Sequence, residues 1–213
     1  MNLFTALTFP AGLCKPLGPS NAELDLSALM GQEAWMRLSV PVRRRFGLHA
    51  APVAYRGHLD LDCSAMGRVL AWLSWPLKGP LVPHRAHGLP VEVGVASDGH
   101  GGVAWTRRLG SRTVSSVKQR HPVRGVLERT SGGLAMALDV LEHEGALVFQ
   151  SRQYLWCIGR WCLPLPSWLS PGTCRVEHRD LGGGQFRFTL TMTHPRLGLT
   201  FQQAGVFEDP VQE

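Results

Sequence analysis

The sequence predicts a mainly β chain of the α+β class. The expected form is an antiparallel barrel or half-barrel of about nine or ten strands, with a few N-terminal helices, one of them packed on or in the sheet. Three observations lead there. Beyond residue 51, apolar and polar residues alternate with a period of two, the mark of a half-buried strand. Glycine and proline, 24 and 15 of 213 residues, are scattered as punctuation, which suits short strands joined by turns. So many strands also exceed what an open twisted sheet carries without curling, and closure hides their edges. One domain is expected over 1–213, with a helical part over 1–50 and a β domain over 51–208.

Element by element, a helix is expected over Ser27 to Arg37, with Leu29, Met30, Trp35 and Met36 available for burial. A second short turn fits Pro41 to Phe46, since proline suits the first helical position. Tyr55 to Asp62 alternates as a strand. Ser64 then serves as N-cap of a helix reaching about Trp75 and stopped by Pro76. After Pro90 only strands are expected. Val91, Val93 and Val95 share a face, Asp98-Gly99 opens a turn, and Val103, Trp105 and Arg107 share a face of the return strand. Thr113 to Arg120 and Val123 to Arg129 form a hairpin about His121-Pro122, and Ser131-Gly132-Gly133 is the next turn. Leu134 to Glu142 and Ala146 to Trp156 form another hairpin through Glu144-Gly145. A proline-rich crossing spans Leu163 to Pro171, before strands near Thr173 to Arg179, Gln185 to Thr193 and Leu199 to Phe207. In the second of these, Phe186, Phe188, Leu190 and Met192 face one way and Arg187, Thr189, Thr191 and Thr193 the other, the pattern of an antiparallel sheet with one dry face.

Composition narrows the function classes. The net charge is +6, but the only dense basic run, Arg43-Arg44-Arg45, is too short for a nucleic-acid arm and no recognition motif accompanies it. No nucleic-acid partner is expected. The longest apolar run, Val69 to Leu77, is broken by Pro76 and too short to span a bilayer. Met1 to Pro10 lacks the early positive charge of a secretory leader, so a soluble cytoplasmic protein is expected. The five cysteines, Cys14, Cys63, Cys157, Cys162 and Cys174, show no framework spacing and read as buried reduced thiols. No dinucleotide fingerprint, phosphate loop or nucleophile elbow occurs, and Gly182-Gly183-Gly184 reads as a turn. His84 and His87 have no third ligand in view, and Glu142-His143-Glu144 reads as a solvated hairpin tip. Neither metal nor cofactor is expected.

Three polar residues stand where their strands turn them inward. Arg107 follows Val103 and Trp105, Glu128 follows Val126, and His194 follows a strand with buried companions, one step out of phase with Met192. An inward Arg and Glu must pair with each other or with a ligand, because an unpaired buried charge is costly. They are therefore a polar anchor in an apolar pocket, a structural ion pair, or, for the Arg, a side chain at the barrel rim facing water. Trp72 and Trp75 lie three apart, so one helix face carries both, and Trp156, Trp161 and Trp168 crowd the proline-rich crossing. Such aromatics suit either a cavity mouth or ordinary core packing.

Trp105-Thr106-Arg107, the Pro164 to Pro171 segment with Trp168-Leu169, Glu177, Phe186-Arg187-Phe188 and His194-Pro195-Arg196-Leu197-Gly198 resemble, in that order, the bacterial domain-of-unknown-function 4166 family. Leu29-Met30-Gly31 before Pro41-Val42-Arg43 is similar too, so the resemblance runs from about Ala28 to Phe207. Gln203 stands where the family pattern has an aromatic. The resemblance implies no assigned activity and no catalytic residues. It makes Trp105, Arg107 and Glu177 candidates by motif alone. Members joined to a dehydrogenase-like nucleotide-binding domain imply that this chain acts alone or with such a partner.

Three functions remain open. The first is a module binding a hydrophobic or amphipathic small molecule in a cavity of several hundred cubic ångströms. There Arg107 is the anchor, Trp105 a wall, and Trp72 and Trp75 part of a lid. The second is a metal-independent acid–base enzyme using Glu128 or His194 in the same pocket. The third is a non-catalytic accessory domain for a dehydrogenase-like enzyme, with an exposed apolar patch.

Overall fold

A computed structural model describes residues 23–47, 52–77, 79–110, 112–159 and 161–210. The expectations for Met1 to Pro10 and Cys14 fall outside them. Ten antiparallel strands close into a barrel, with an eleventh outside it. They are β1 (Val53–Cys63), β2 (Ala86–Ser97), β3 (Val103–Leu109), β4 (Arg112–His121), β5 (Gly125–Thr130), β6 (Leu134–His143), β7 (Ala146–Ile158), the outer β8 (Trp161–Pro164), β9 (Thr173–Gly182), β10 (Gln185–His194) and β11 (Gly198–Glu208). Each barrel strand pairs with the next along the chain. The long β7 pairs with β9 through Leu147 to Gln150 and with β8 through Leu155 to Ile158. Closure comes from β11 lying against β1, with Cys63 opposite Phe201 and Arg56 opposite Glu208.

The alternation that predicts these strands also fixes their inner faces, and the structure differs from expectation in local ways. The proline-rich crossing contains β8 and a 3-10 turn, Ser167–Leu169. β2 begins at Ala86, with Pro90 inside it opposite His58. The first helix is two, α1 (Leu26–Met30) and α2 (Gln32–Arg37), because Gly31 takes φ 85°, a conformation that breaks a helix and that glycine adopts freely. α3 (Val40–Phe46) follows. The reading of all cysteines as reduced thiols is corrected. Cys157 and Cys162 are cross-strand partners on β7 and β8 and form a disulfide, while Cys63 and Cys174 are free and buried. The sequence shows only four intervening residues; the short β7–β8 hairpin brings the two side chains together.

The helices close the two ends of the barrel. At one end Leu24, Leu26, Leu38 and Val42 pack on Val126, Leu138, Leu147 and Phe149. The last turn of α3 enters the barrel, where Phe46 stacks on Trp105 at 5.6 Å and meets His178 edge-on at 4.8 Å. Arg45, part of the basic run, is buried. It donates two bonds to Asp209, at 2.7 and 2.6 Å, and lies 4.2 Å over the Phe186 ring. A bidentate Arg–carboxylate pair of this kind fixes geometry as well as charge.

At the other end α4 (Ala65–Ser74) crosses the mouth. It starts beside β11, where Ser64 N–H donates to the Thr200 carbonyl at 3.0 Å and the Ser64 hydroxyl accepts from Gly67 N–H at 3.1 Å. It ends in a 3-10 turn, Trp75–Leu77, that rests on the β5–β6 turn. There a Cβ on Gly132 would collide with the Leu77 carbonyl. Replacing Gly132 by Ala is expected to lift this turn and to cost about 1–3 kcal/mol, the usual price of overpacking. The check is the urea midpoint; an unchanged midpoint would mean that the turn does not bear on Gly132.

Candidate functional site

Under α4 the barrel encloses a cavity of about 150 Å³, lined mostly by apolar side chains from nearly every strand. This is smaller than the several hundred cubic ångströms expected; a second cavity of about 100 Å³ lies toward the other end, lined in part by Phe46, Trp105, Lys118 and Phe149. Side chains point inward on every second residue. That parity brings Trp105 and Arg107 from β3, Ser116 and Lys118 from β4, Glu128 from β5, Tyr154 from β7, and Cys174 and His178 from β9 to one wall.

The polar members form a charge cluster. Lys118 and Glu128 lie directly opposite each other on β4 and β5. The Glu128 carboxylate accepts from the Ser116 hydroxyl at 2.6 Å and pairs with Lys118 Nζ at 3.2 Å. The Lys118 ammonium also lies 5.0 Å from the Trp105 ring and 5.3 Å from the Phe149 ring, within cation–π range. Burial alone would raise the Glu128 pKa, but Lys118, Ser116 and Arg107 together hold it below the ordinary value. Burial pulls the Lys118 ammonium down, and Arg107 adds to the pull against Glu128. Arg107 adds to both shifts in the same sense, because a second cation in the cluster favours the Glu128 ion and opposes the Lys118 ion. Among the described residues, Arg107 has neither an ion pair nor a hydrogen bond.

His178 is the second uncompensated group. It is buried among the rings of Phe46, Trp105, Phe149, Phe186 and Phe188. Its Nδ1 has no hydrogen-bond partner among the described residues. Burial first, then Lys118, Arg45 and Arg107, holds the imidazole well below its usual pKa, so it is neutral. Burial and Glu128 push the Cys174 thiol up to about 12, so it is no thiolate nucleophile. Burial likewise raises the Tyr154 phenol well above its ordinary value.

The structure brings Trp105, Arg107 and Glu128 of the expected residues together. The others lie elsewhere. Glu177 is between the inward Val176 and His178 and therefore faces out, paired with Arg179 at 2.9 Å and Arg175 at 3.6 Å. His194 is buried in the β10–β11 turn, where its Nδ1 accepts from the backbone N–H of Arg196 at 3.1 Å and Leu197 at 3.3 Å. It holds the turn and does not line the cavity with Glu128. Trp72 and Trp75 share a helix face, but that face is the outer one, 72% and 63% exposed, with Arg112 at 5.1 Å over Trp75. Leu70 and Ser74 face the cavity instead. Sequence reasoning missed Lys118 and His178. The signal was present in parity, since Lys118 follows Val114 and Ser116 by twos, and His178 follows Cys174 and Val176.

The family model described as a domain of unknown function, DUF4166, matches residues 38–207. No curated protein matches the chain.

Proposed function

We propose that this chain, which belongs to the DUF4166 family, uses its barrel to hold an amphipathic small molecule whose acidic head group pairs with Arg107. The observation that carries this is the guanidinium on the cavity wall with no ion pair or hydrogen bond among the described residues, beside a Lys118–Glu128 pair that is already complete. An uncompensated cation in an apolar enclosure is costly, and a carboxylate supplied by a ligand offsets that cost with charge-assisted hydrogen bonds. Counting one water-sized sphere per 10–15 Å³, the cavity accommodates roughly ten non-hydrogen atoms. That matches a medium-chain carboxylic acid, with its tail toward Leu70, Leu81 and Leu190. The single negative charge of Glu128 is already engaged at Oε1 by Ser116 and Lys118, which suits holding a ligand better than moving a proton.

Native mass spectrometry of the purified protein shows whether an acid travels with it, and titration with decanoate and with decanol measures the head-group preference. Decanoate is expected to bind and decanol to bind much more weakly. Arg107→Met is expected to weaken decanoate by about 10- to 100-fold, the worth of one or two charge-assisted hydrogen bonds. Equal binding of acid and alcohol, or an unaffected Arg107→Met variant, overturns the reading.

A further inference from the structure

The lid helix is apolar on both sides, and it buries the smaller side. Gly67, Leu70, Ala71 and Ser74 face the barrel, while Met66, Val69, Trp72 and Leu73 face out and are exposed by 43 to 72%. A surface helix normally turns charged and polar residues outward, and in α4 Arg68 alone does so. The surface around it continues the pattern. Four of the seven tryptophans, Trp72, Trp75, Trp161 and Trp168, are exposed by 63 to 72%, and all four belong to α4, β8 or the two 3-10 turns. Leu165 and Leu169 of the β8–β9 crossing line the cavity from the same end. The apolar surface therefore surrounds the mouth.

Charge divides the barrel along the same axis. The antiparallel order brings the β1–β2, β3–β4, β5–β6, β7–β9 and β10–β11 connections to the lid end, and none of their described residues is an Asp or Glu. Among described residues there, Arg68 and Arg196 are exposed, and Arg112 lies on Trp75. Carboxylates gather at the opposite end, with Asp98, Glu144 and Asp209 in its connections. The exposed acid beside this end, Asp62 on β1, is paired with Arg85 at 2.7 Å. Exposed tryptophan and leucine on a rim with an excess of cations match the interface of an anionic bilayer, where the indole sits at the head groups and arginine meets lipid phosphate.

We propose that the lid end of the barrel docks on a membrane surface carrying anionic lipids, with the outer face of α4 inserted at head-group depth. Docking there places the cavity mouth directly against the bilayer. The proposal stands on the outer surface and does not depend on what the cavity holds.

The test is co-sedimentation of the protein with vesicles of phosphatidylcholine alone and with about 30% phosphatidylglycerol, an anionic lipid. Binding to the anionic vesicles is expected, with a blue shift of tryptophan fluorescence, and it should weaken when salt is raised to about 0.5 M, which screens surface charge. Arg68→Glu and Arg196→Glu are each expected to weaken it about fivefold or more. Trp72→Ser with Leu73→Ser should weaken it about tenfold or more. Val123→Ser, at a residue 87% exposed at the far end, should leave it unchanged, as should Arg107→Met, which separates this idea from the ligand reading. All these side chains except Arg107 are exposed, and circular dichroism verifies that each variant folds. No vesicle binding, or binding indifferent to lipid charge and to Trp72, overturns the proposal. So does a dimer in sedimentation equilibrium that Trp72→Ser dissolves, because the face would then belong to a second copy.

Discussion

Replacing Glu128 by Leu is expected to cost about 3–5 kcal/mol of folding stability, the measured scale for stranding a buried charge. The carboxylate is the only anion among the described residues facing Lys118 and Arg107. Without it, two cations share an apolar enclosure and the Ser116 hydroxyl loses its acceptor. Lys118→Met in the same chain should restore much of the loss, because deleting both partners of a buried pair removes the stranded charge. Urea unfolding at pH 7 reads both variants. A loss under about 1 kcal/mol would show that the pair is solvated and the cavity wet. The pair also sets a pH dependence. The folded Glu128 pKa is below its unfolded value, so its contribution is fully present above about 4.3 and is lost as pH falls through the folded value.

Between pH 7 and pH 5 stability is expected to drop by about 2 kcal/mol through His178 alone. The unfolded imidazole takes up a proton near pH 6.5. The folded one does not, because burial and then Lys118, Arg45 and Arg107 hold its pKa well below that value. The stability is therefore complete above about pH 6.5 and declines at about 1.4 kcal/mol per unit as pH falls toward the folded value. His178→Leu should flatten this slope. The slope, not the absolute stability at pH 7, is the readout, because the leucine also removes ring contacts with Phe46 and Phe188. His121, lowered in the same direction by burial and by Arg124, is less buried and remains in both proteins. Parallel slopes for wild type and variant would mean that His178 is protonated in the fold.

Much of the candidate site was legible from alternation. Arg107 follows Trp105 by two and Glu128 follows Val126 by two, so any barrel built on these strands turns both inward. Their expected mutual pairing was not legible. The β4–β5 register sets Lys118 opposite Glu128, and that register depends on how the His121 to Gly125 turn closes. Glu177, singled out by family motif, fails the same parity test that its neighbour His178 passes. His194 was judged by burial, and burial served a turn.

The sequence by itself determined an antiparallel barrel or half-barrel, the strand faces that look inward and the cap at Ser64, because the two-residue repeat and the capping hydroxyl act over a few bonds and need no distant partner. Only the tertiary structure decided that the strands close fully, which side of α4 is covered, that Arg45 leaves the basic surface run for Asp209, and that Arg107 has no ion pair or hydrogen bond among the described residues. With large apolar residues on both sides of α4 and Arg68 its one charge, the pattern alone does not orient it. The backbone of Thr200 approaches too closely for anything larger than Gly67, so the small face goes in and Trp72 goes out.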